Sequence, residues 1–214
     1  MARKPTLTPT ENGVEDVKIG TADKPNMVKL SKSLSPKEKD KYIKLLSEFS
    51  HIFSWDYAYL KVYDKNIIQH TIPIKPDQKP FRQNLRWINP RLLPSIKKEV
   101  NRLHKSGIIV PIRFSDWISI LVLVRKNTRE IRLCIYFHNF NKVSLKDNYP
   151  LPKMDHVLQK VVGASRMSLL DGYSGYNQIL VHEEDQGKTA FTTPWGTFQY
   201  VKMPFRLRNV GANF

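Results

Sequence analysis

Gly187-Lys188-Thr189 is the first place to look for chemistry, because a Gly-Lys-Thr tail ends the loop that cradles phosphates in many nucleotide-binding proteins. That loop needs another glycine five positions before Gly187, where this sequence has His182. No strand–loop–helix pattern surrounds it, so the motif is set aside. His182-Glu183-Glu184-Asp185 has metal-ligand residue types, but strand-like runs flank it and it reads as a solvated hairpin tip. Ser174 lacks a nucleophile elbow of the Gly-x-Ser-x-Gly kind, since Gly172 is in place but Tyr176 stands where the second glycine belongs. The 6 histidines have no His-x-x-x-His or cysteine partner spacing, and the single cysteine, Cys134, excludes an internal disulfide or a multi-cysteine zinc or iron–sulfur site. Met167 to Leu170 reads as a strand running into Asp171-Gly172, a pair that taken alone fits a hairpin turn.

Charge offers a firmer lead. Among 214 residues, Lys and Arg number 35 and Asp and Glu 19, giving a net charge of +16. Such an excess points to a polyanionic partner, nucleic acid first, because phosphate contacts release counterions; a lysine-rich solvated surface is the plain alternative. The excess is concentrated in residues 75–115, where Lys75, Lys79, Arg82, Arg86, Arg91, Lys97, Lys98, Arg102, Lys105 and Arg113 face only Asp77 and Glu99. Phe81 and Trp87 lie among these cations, and aromatic faces beside cations can stack bases.

The elements that must position these residues are mixed. Residues 1–34 are polar and irregular and read as disordered chain or a linker. Ser35-Pro36-Lys37-Glu38 is a helix start with a capping box, and Tyr42, Leu45, Leu46 and Phe49 form the apolar side of the helix that follows. Prolines punctuate residues 51–90, which suits extended chain. Leu92, Leu93, Ile96, Val100 and Leu103 then predict a second amphipathic helix that stops at Gly107. Ile118 to Val124 and Ile131 to Phe137 predict a hairpin around a charged loop, and Met154 to Val162 a short helix burying Val157, Leu158 and Val161. Short strands fit 177–182, 188–193 and 197–202, with Pro194-Trp195-Gly196 as a turn. Without regular strand–helix alternation the class is α+β. The longest apolar stretch, Trp117 to Val124, has 8 residues and is broken by Ser119, against the ~18–20 needed to span a bilayer. With no apolar leader at the start, a soluble, reduced, intracellular protein, cytoplasmic or nuclear and not secreted, is expected.

Several ordered blocks resemble the reverse transcriptase of Ty3/gypsy-type retrotransposons, especially those of plants. They are QHTIPIKPDQKPFRQ, EVNRLHKSGIIVPI, RLCIYFHNFNKVSLKDNYPLPKMD, SLLDGYSGYNQI, EDQGKTAFTTPWGTFQY and MPFRLRNVGANF. The resemblance covers residues 68–214, and residues 35–67 look like the helical segment preceding such a polymerase. It implies right-hand polymerase fingers with a truncated palm. The chemistry implied is nucleotidyl transfer to a primer end, with template-primer and dNTP as partners and two Mg²⁺ ions as cofactors. Asp171 matches the first catalytic, metal-binding Asp. Tyr176 matches an aromatic gate selecting deoxynucleotides, Lys126 and Arg132 match cations that grip the triphosphate, and Phe205 lies in a loop approaching the nucleotide. Arg82, Arg86, Lys97 and Lys98 are taken as the nucleic-acid-binding cations, and Asn141 matches a structural asparagine after the fingers hairpin.

The chain departs from that pattern in places. Tyr136 stands for an Asp, His138 for an Arg, Arg206 for the Gly of Met-Pro-Phe-Gly-Leu and Asn213 for a Thr. A glycine there permits unusual backbone angles and close approach to the nucleotide, so Arg206 is expected to crowd the pocket or strain the loop. No Asp-Asp pair, and so no Tyr-x-Asp-Asp hairpin, occurs in these residues. The expectation is a chain inactive alone, either part of a longer Pol polyprotein, a non-catalytic nucleic-acid-binding module, or the product of a decaying element. Uncovered palm strands predict marginal stability or aggregation.

Overall fold

The computed structural model describes residues 13–21, 24–57, 60–125, 131–163 and 174–213. The chain forms two compact units that divide after Tyr59.

The first unit opens with an antiparallel hairpin, β1 (Val14–Thr21) and β2 (Lys24–Ser31), paired from Val14↔Ser31 to Thr21↔Lys24. For residues 14–21 and 24–31 this differs from the expectation of disordered chain or linker; residues 1–12 of that stretch lie outside the described residues. The polar composition hides a period-two pattern: Val17, Ile19, Val28 and Leu30 share the inner face, while Asp16, Lys18, Met27 and Lys29 point out. Helix α1 (Pro36–Glu48) follows, and its capping box forms as expected. Ser35 Oγ accepts from Glu38 N, and the Glu38 carboxylate accepts from Ser35 N at 3.0 Å. Lys39 pairs with Glu15 of β1 at 2.9 Å.

The second unit is built on a mixed sheet. Its elements in chain order are β3 (Gln69–His70), α2 (Leu93–Lys105), β4 (Ile109–Pro111), β5 (Ser119–Arg125), β6 (Ile131–Tyr136), α3 (His138–Val143), α4 (Met154–Val161), β7 (Leu180–Val181), α5 (Glu183–Gln186), β8 (Phe191–Thr193), β9 (Gly196–Tyr200) and α6 (Val210–Asn213). The 5-stranded sheet runs β4-β9-β8-β5-β6, with β8 and β5 parallel and the other neighbours antiparallel. β3 and β7 make a separate parallel pair.

Helix α2 starts and stops as its sequence predicts. Asn89 Oδ1 accepts from Arg91 N in the 3-10 turn that leads into it. At the far end Gly107 takes φ +62°, with Gly107 N donating to His104 O and Ile108 N to Leu103 O. This is a Schellman stop, which a glycine adopts at little cost. Ile96 and Val100 of α2 are buried. Linked aromatic rings pack with the buried aliphatic side chains: Phe81 and Phe140 each meet Trp117 edge-on at 5.3 Å, and Tyr200 meets Phe191 at 5.5 Å.

Three local expectations are overturned. Residues 183–186 are a helical turn and not a hairpin tip, because Asp185 turns inward, where it accepts from Ile72 N at 2.7 Å and pairs with Lys188. Residues 187–189 form a 3-10 turn, which shortens the expected 188–193 strand to β8. Helix α4 forms where predicted but buries none of its residues; Val157 and Leu158 are exposed.

Candidate functional site

The structure brings Tyr176 and Phe205 together. Tyr176 lies on the 3-10 turn Gly175–Gln178, entered through Ser174 in the left-handed region (φ +55°). Phe205 follows the buried Met203, whose N–H donates to Ile179 O at 2.8 Å and ties the two segments together. The rings sit 5.8 Å apart at 36° and Phe205 is largely exposed, so they form a small aromatic platform.

The loop after Phe205 is held to α3 and to the extended chain that follows it. Asn141 Nδ2 donates to Arg206 O at 2.8 Å. Arg208 Nη1 donates to Asn141 O at 2.8 Å and to Ser144 O at 3.0 Å, satisfying carbonyls at the end of α3. Asn209 donates to Leu145 O and accepts from Asp147 N. Asn141 Oδ1 is buried and has no hydrogen-bond partner among the described residues. Arg206 takes φ +75°, which bears out the strain expected where an arginine replaces a glycine. Its guanidinium lies 5.9 Å from the Phe205 ring.

Of the other expected residues, Asp171 and Lys126 lie outside the described residues, and Arg132 sits on β6 paired with Val124. Arg82, Arg86, Lys97 and Lys98 are all exposed. Arg82 pairs with Asp116 at 3.6 Å, and Lys97 lies 6.0 Å from the Trp195 ring. Tyr136 and His138, both departures from the family pattern, stack on each other at 5.6 Å and 28°. Among the described residues no three His, Cys, Asp or Glu side chains come together to hold a metal ion. The described residues, which do not include Asp171, supply no cradle for the expected Mg²⁺. Among the same residues no helix is long and apolar enough to cross a membrane.

Sequence reasoning missed two charged residues that shape this region. Arg208 shows no local signal; its role depends on carbonyls more than 60 residues earlier in the chain. Asp185 was hidden by its neighbours Glu183 and Glu184, which do face solvent. Buried beside it, His70 has its pKa pushed down to about 4, chiefly by burial and against the pull of Asp185 and Asp147. Burial also lowers the pKa of Lys202, whose Nζ donates to Ser106 O at the end of α2.

This mixed helix-and-sheet architecture is that of a reverse transcriptase. The prototype foamy virus protease-reverse transcriptase (CSH mutant) superposes with a TM-score of 0.70 at 22% identity, over 83% of this chain and 24% of that one. The foamy viral protease-reverse transcriptase dRH, solved in complex with double-stranded DNA, gives 0.67 at 19% identity over 84% of this chain and 31% of that one.

No family model matches the chain. Its homologues are retrotransposon Pol polyproteins. The Pol polyprotein of transposon 412 from Drosophila melanogaster is 28% identical over 191 residues, 86% of this chain and 15% of that protein. That of transposon gypsy, from the same fly, is 34% identical over 124 residues, 56% of this chain and 12% of that protein. An RNA-directed DNA polymerase homolog from Oenothera berteroana is 36% identical over 84 residues, 39% of this chain and 59% of that protein. The chain is therefore a reverse-transcriptase-like relative of retroelement Pol, and it spans 12–15% of the length of these two fly polyproteins.

Proposed function

We propose that this chain is the template- and nucleotide-handling part, fingers and partial palm, of a retroelement reverse transcriptase, working on template-primer and dNTP inside the cell. The observation that carries this reading is the Tyr176–Phe205 platform, whose loop is held by Asn141 at Arg206 O and by Arg208 bonding back to Asn141 O and Ser144 O. An aromatic ring at Tyr176 would fill the space that a ribose 2′-OH needs, and so favour deoxynucleotides. Lys126 and Arg132 are assigned to the triphosphate, because cations match the negative charge on a transferring phosphoryl group. Divalent metal use is general to the reverse-transcriptase family. Asp171 is assigned as the first carboxylate ligand and catalytic group, and an Asp-Asp pair, which these 214 residues do not contain, is required for turnover.

The test is primer extension on poly-rA with oligo-dT and Mg²⁺. The chain alone is expected to extend nothing. Co-expressed with a Pol segment carrying a Tyr-x-Asp-Asp hairpin, it should extend the primer, and Asp171→Asn should abolish this. Extension that survives Asp171→Asn would overturn the assignment. The exposed cations at Arg82, Arg86, Lys97 and Lys98 favour a second reading, a basic module that binds nucleic acid without turnover. Steeply salt-dependent filter binding with no extension in either format supports that one. Neither activity would leave a degenerate element product.

A further inference from the structure

The aromatic residues of the basic region divide into two groups. Phe81 is half-buried against the core, edge-on to Trp117 at 5.3 Å. Phe114 is 83% exposed, between Arg113 and Ser115, in a segment where the fold gives it nothing to cover. It lies on the rim of a groove of about 320 Å³ that Arg82, Leu85, Arg113, Thr192 and Thr197 also line. That volume is at the lower end of the roughly 300–1,000 Å³ typical of ligand clefts. It suits a single planar ring and its linked phosphate, and is far too narrow for a duplex.

The groove floor is fixed by backbone bonds. Gln83 N donates to Ile118 O, and Gln83 Oε1 accepts from Ile120 N at 3.0 Å. Ser115 Oγ is within hydrogen-bonding distance of both Trp117 O and Gly187 O and accepts from Trp117 N. Arg82, Arg113 and Phe114 therefore project from pinned chain. Among the described residues no carboxylate lines the groove. Among the same residues Arg82 pairs with Asp116 at 3.6 Å, and both side chains are mostly solvated. Such a pair is weak and yields readily to a phosphate.

We propose that this groove is a subsite for one nucleotide of a single-stranded nucleic acid, with its base stacked on Phe114 and its phosphate met by Arg82 and Arg113. The proposal rests on the nucleic-acid reading above and adds to it a strand preference and two residues, Arg113 and Phe114. Stacking on an aromatic ring and charge on the backbone are the two means by which proteins hold single strands.

The test is fluorescence anisotropy of the full chain with a labelled oligothymidylate of about ten nucleotides and with a hairpin duplex of similar charge. Phe114→Ala is expected to weaken oligothymidylate binding about tenfold and to leave duplex binding unchanged. Because Phe114 is solvated, the variant should fold, and the retained duplex affinity reports that it has. Arg82→Gln and Arg113→Gln should each flatten the salt dependence on the single strand by about 0.7 in log–log slope. Asp116→Asn should tighten single-strand binding more than Asp155→Asn, which makes the same charge change on α4. If the chain binds both nucleic acids and Phe114→Ala binds oligothymidylate as the parent does, the subsite is wrong while the nucleic-acid reading stands. If the parent binds neither, both are wrong.

Discussion

Replacing Asp185 tests whether a buried carboxylate ties the β3 region to the turn that precedes the central strands. Its Oδ2 accepts from Ile72 N at 2.7 Å, and its Oδ1 pairs with Lys188, whose Nζ also donates to Ile72 O at 3.2 Å. Ile72 is 4% exposed and Asp185 7%. Asp185→Ala removes a charge-assisted bond worth about 1.5–3 kcal/mol and leaves the Ile72 N–H without its acceptor, a further cost of about 1–3 kcal/mol. These terms overlap, and breaking a buried pair by deleting one partner costs about 3–5 kcal/mol. The expected loss is about 3 kcal/mol. Asp185→Asn keeps an oxygen to accept from Ile72 N and gives up only the charge, so it should lose about half as much. With a denaturant slope of about 1–3 kcal/mol per molar for a small protein, the alanine variant should move the urea midpoint down by roughly 1–3 M. Far-UV circular dichroism of the parent and both variants across a urea series measures this. Variants within about 0.5 kcal/mol of each other, inside the spread of ordinary surface substitutions, would show that the acceptor for Ile72 N does not matter, and the reasoning fails.

Two further outcomes follow from groups that the fold holds against their ordinary preference. His70 is buried, with its pKa pushed down to about 4, while an unfolded chain titrates at about 6.5. The neutral ring is the folded form, so stability is full above pH ~6.5 and falls as acid protonates the unfolded chain first, by about 2 kcal/mol between pH 7 and pH 5. Urea midpoints at the two pH values should show this step in the parent and not in His70→Gln, and an equal step in both would exclude His70 as its source. At Arg206 the φ of +75° reverses the usual order of small residues. Arg206→Gly should be more stable than Arg206→Ala by about 1 kcal/mol, because alanine keeps the left-handed strain, whereas at an ordinary helical or strand position alanine is favoured by about 0.5–1 kcal/mol. The sign of that difference in thermal melts decides it.

Local chemistry was legible in the sequence wherever a few neighbouring residues settle the structure. The Ser35/Glu38 capping box and the Gly107 stop each need only one turn of chain, and both form as read. The β5–β6 pairing follows from two apolar runs around a charged loop. The hairpin of residues 14–31 was missed because composition averages away an alternation that only pairing makes visible. Asp185 was misread for a related reason: a run of acids suggests solvent, and only the N–H of Ile72, far off in sequence, draws one of them inward. Helix α4 shows the opposite failure, since its helical periodicity was right while its apolar side stays exposed among the described residues.

The platform at Tyr176 and Phe205 combines both kinds of information. Its two rings could be named from ordered sequence blocks, but the means of holding them could not. A glycine at position 206 would enter the left-handed region with little strain, and the loop would need few other restraints. With arginine there, the backbone sits at a cost of roughly 1–2 kcal/mol, and the turn persists only if its surroundings over-determine it. They do: Asn141 holds the carbonyl of the strained residue itself, Arg208 grips α3 two residues later, and Asn209 bonds to Leu145 and Asp147. The geometry of the platform thus depends on hydrogen bonds from 141–147 more than on the conformational freedom of its own loop. It follows that Arg208→Ala should loosen the Phe205 ring without unfolding the sheet, whereas Arg206→Gly should leave the ring where it is. NMR line shapes of Phe205 in the two variants separate these effects, and a ring that stays fixed in Arg208→Ala would return the control of the platform to residue 206.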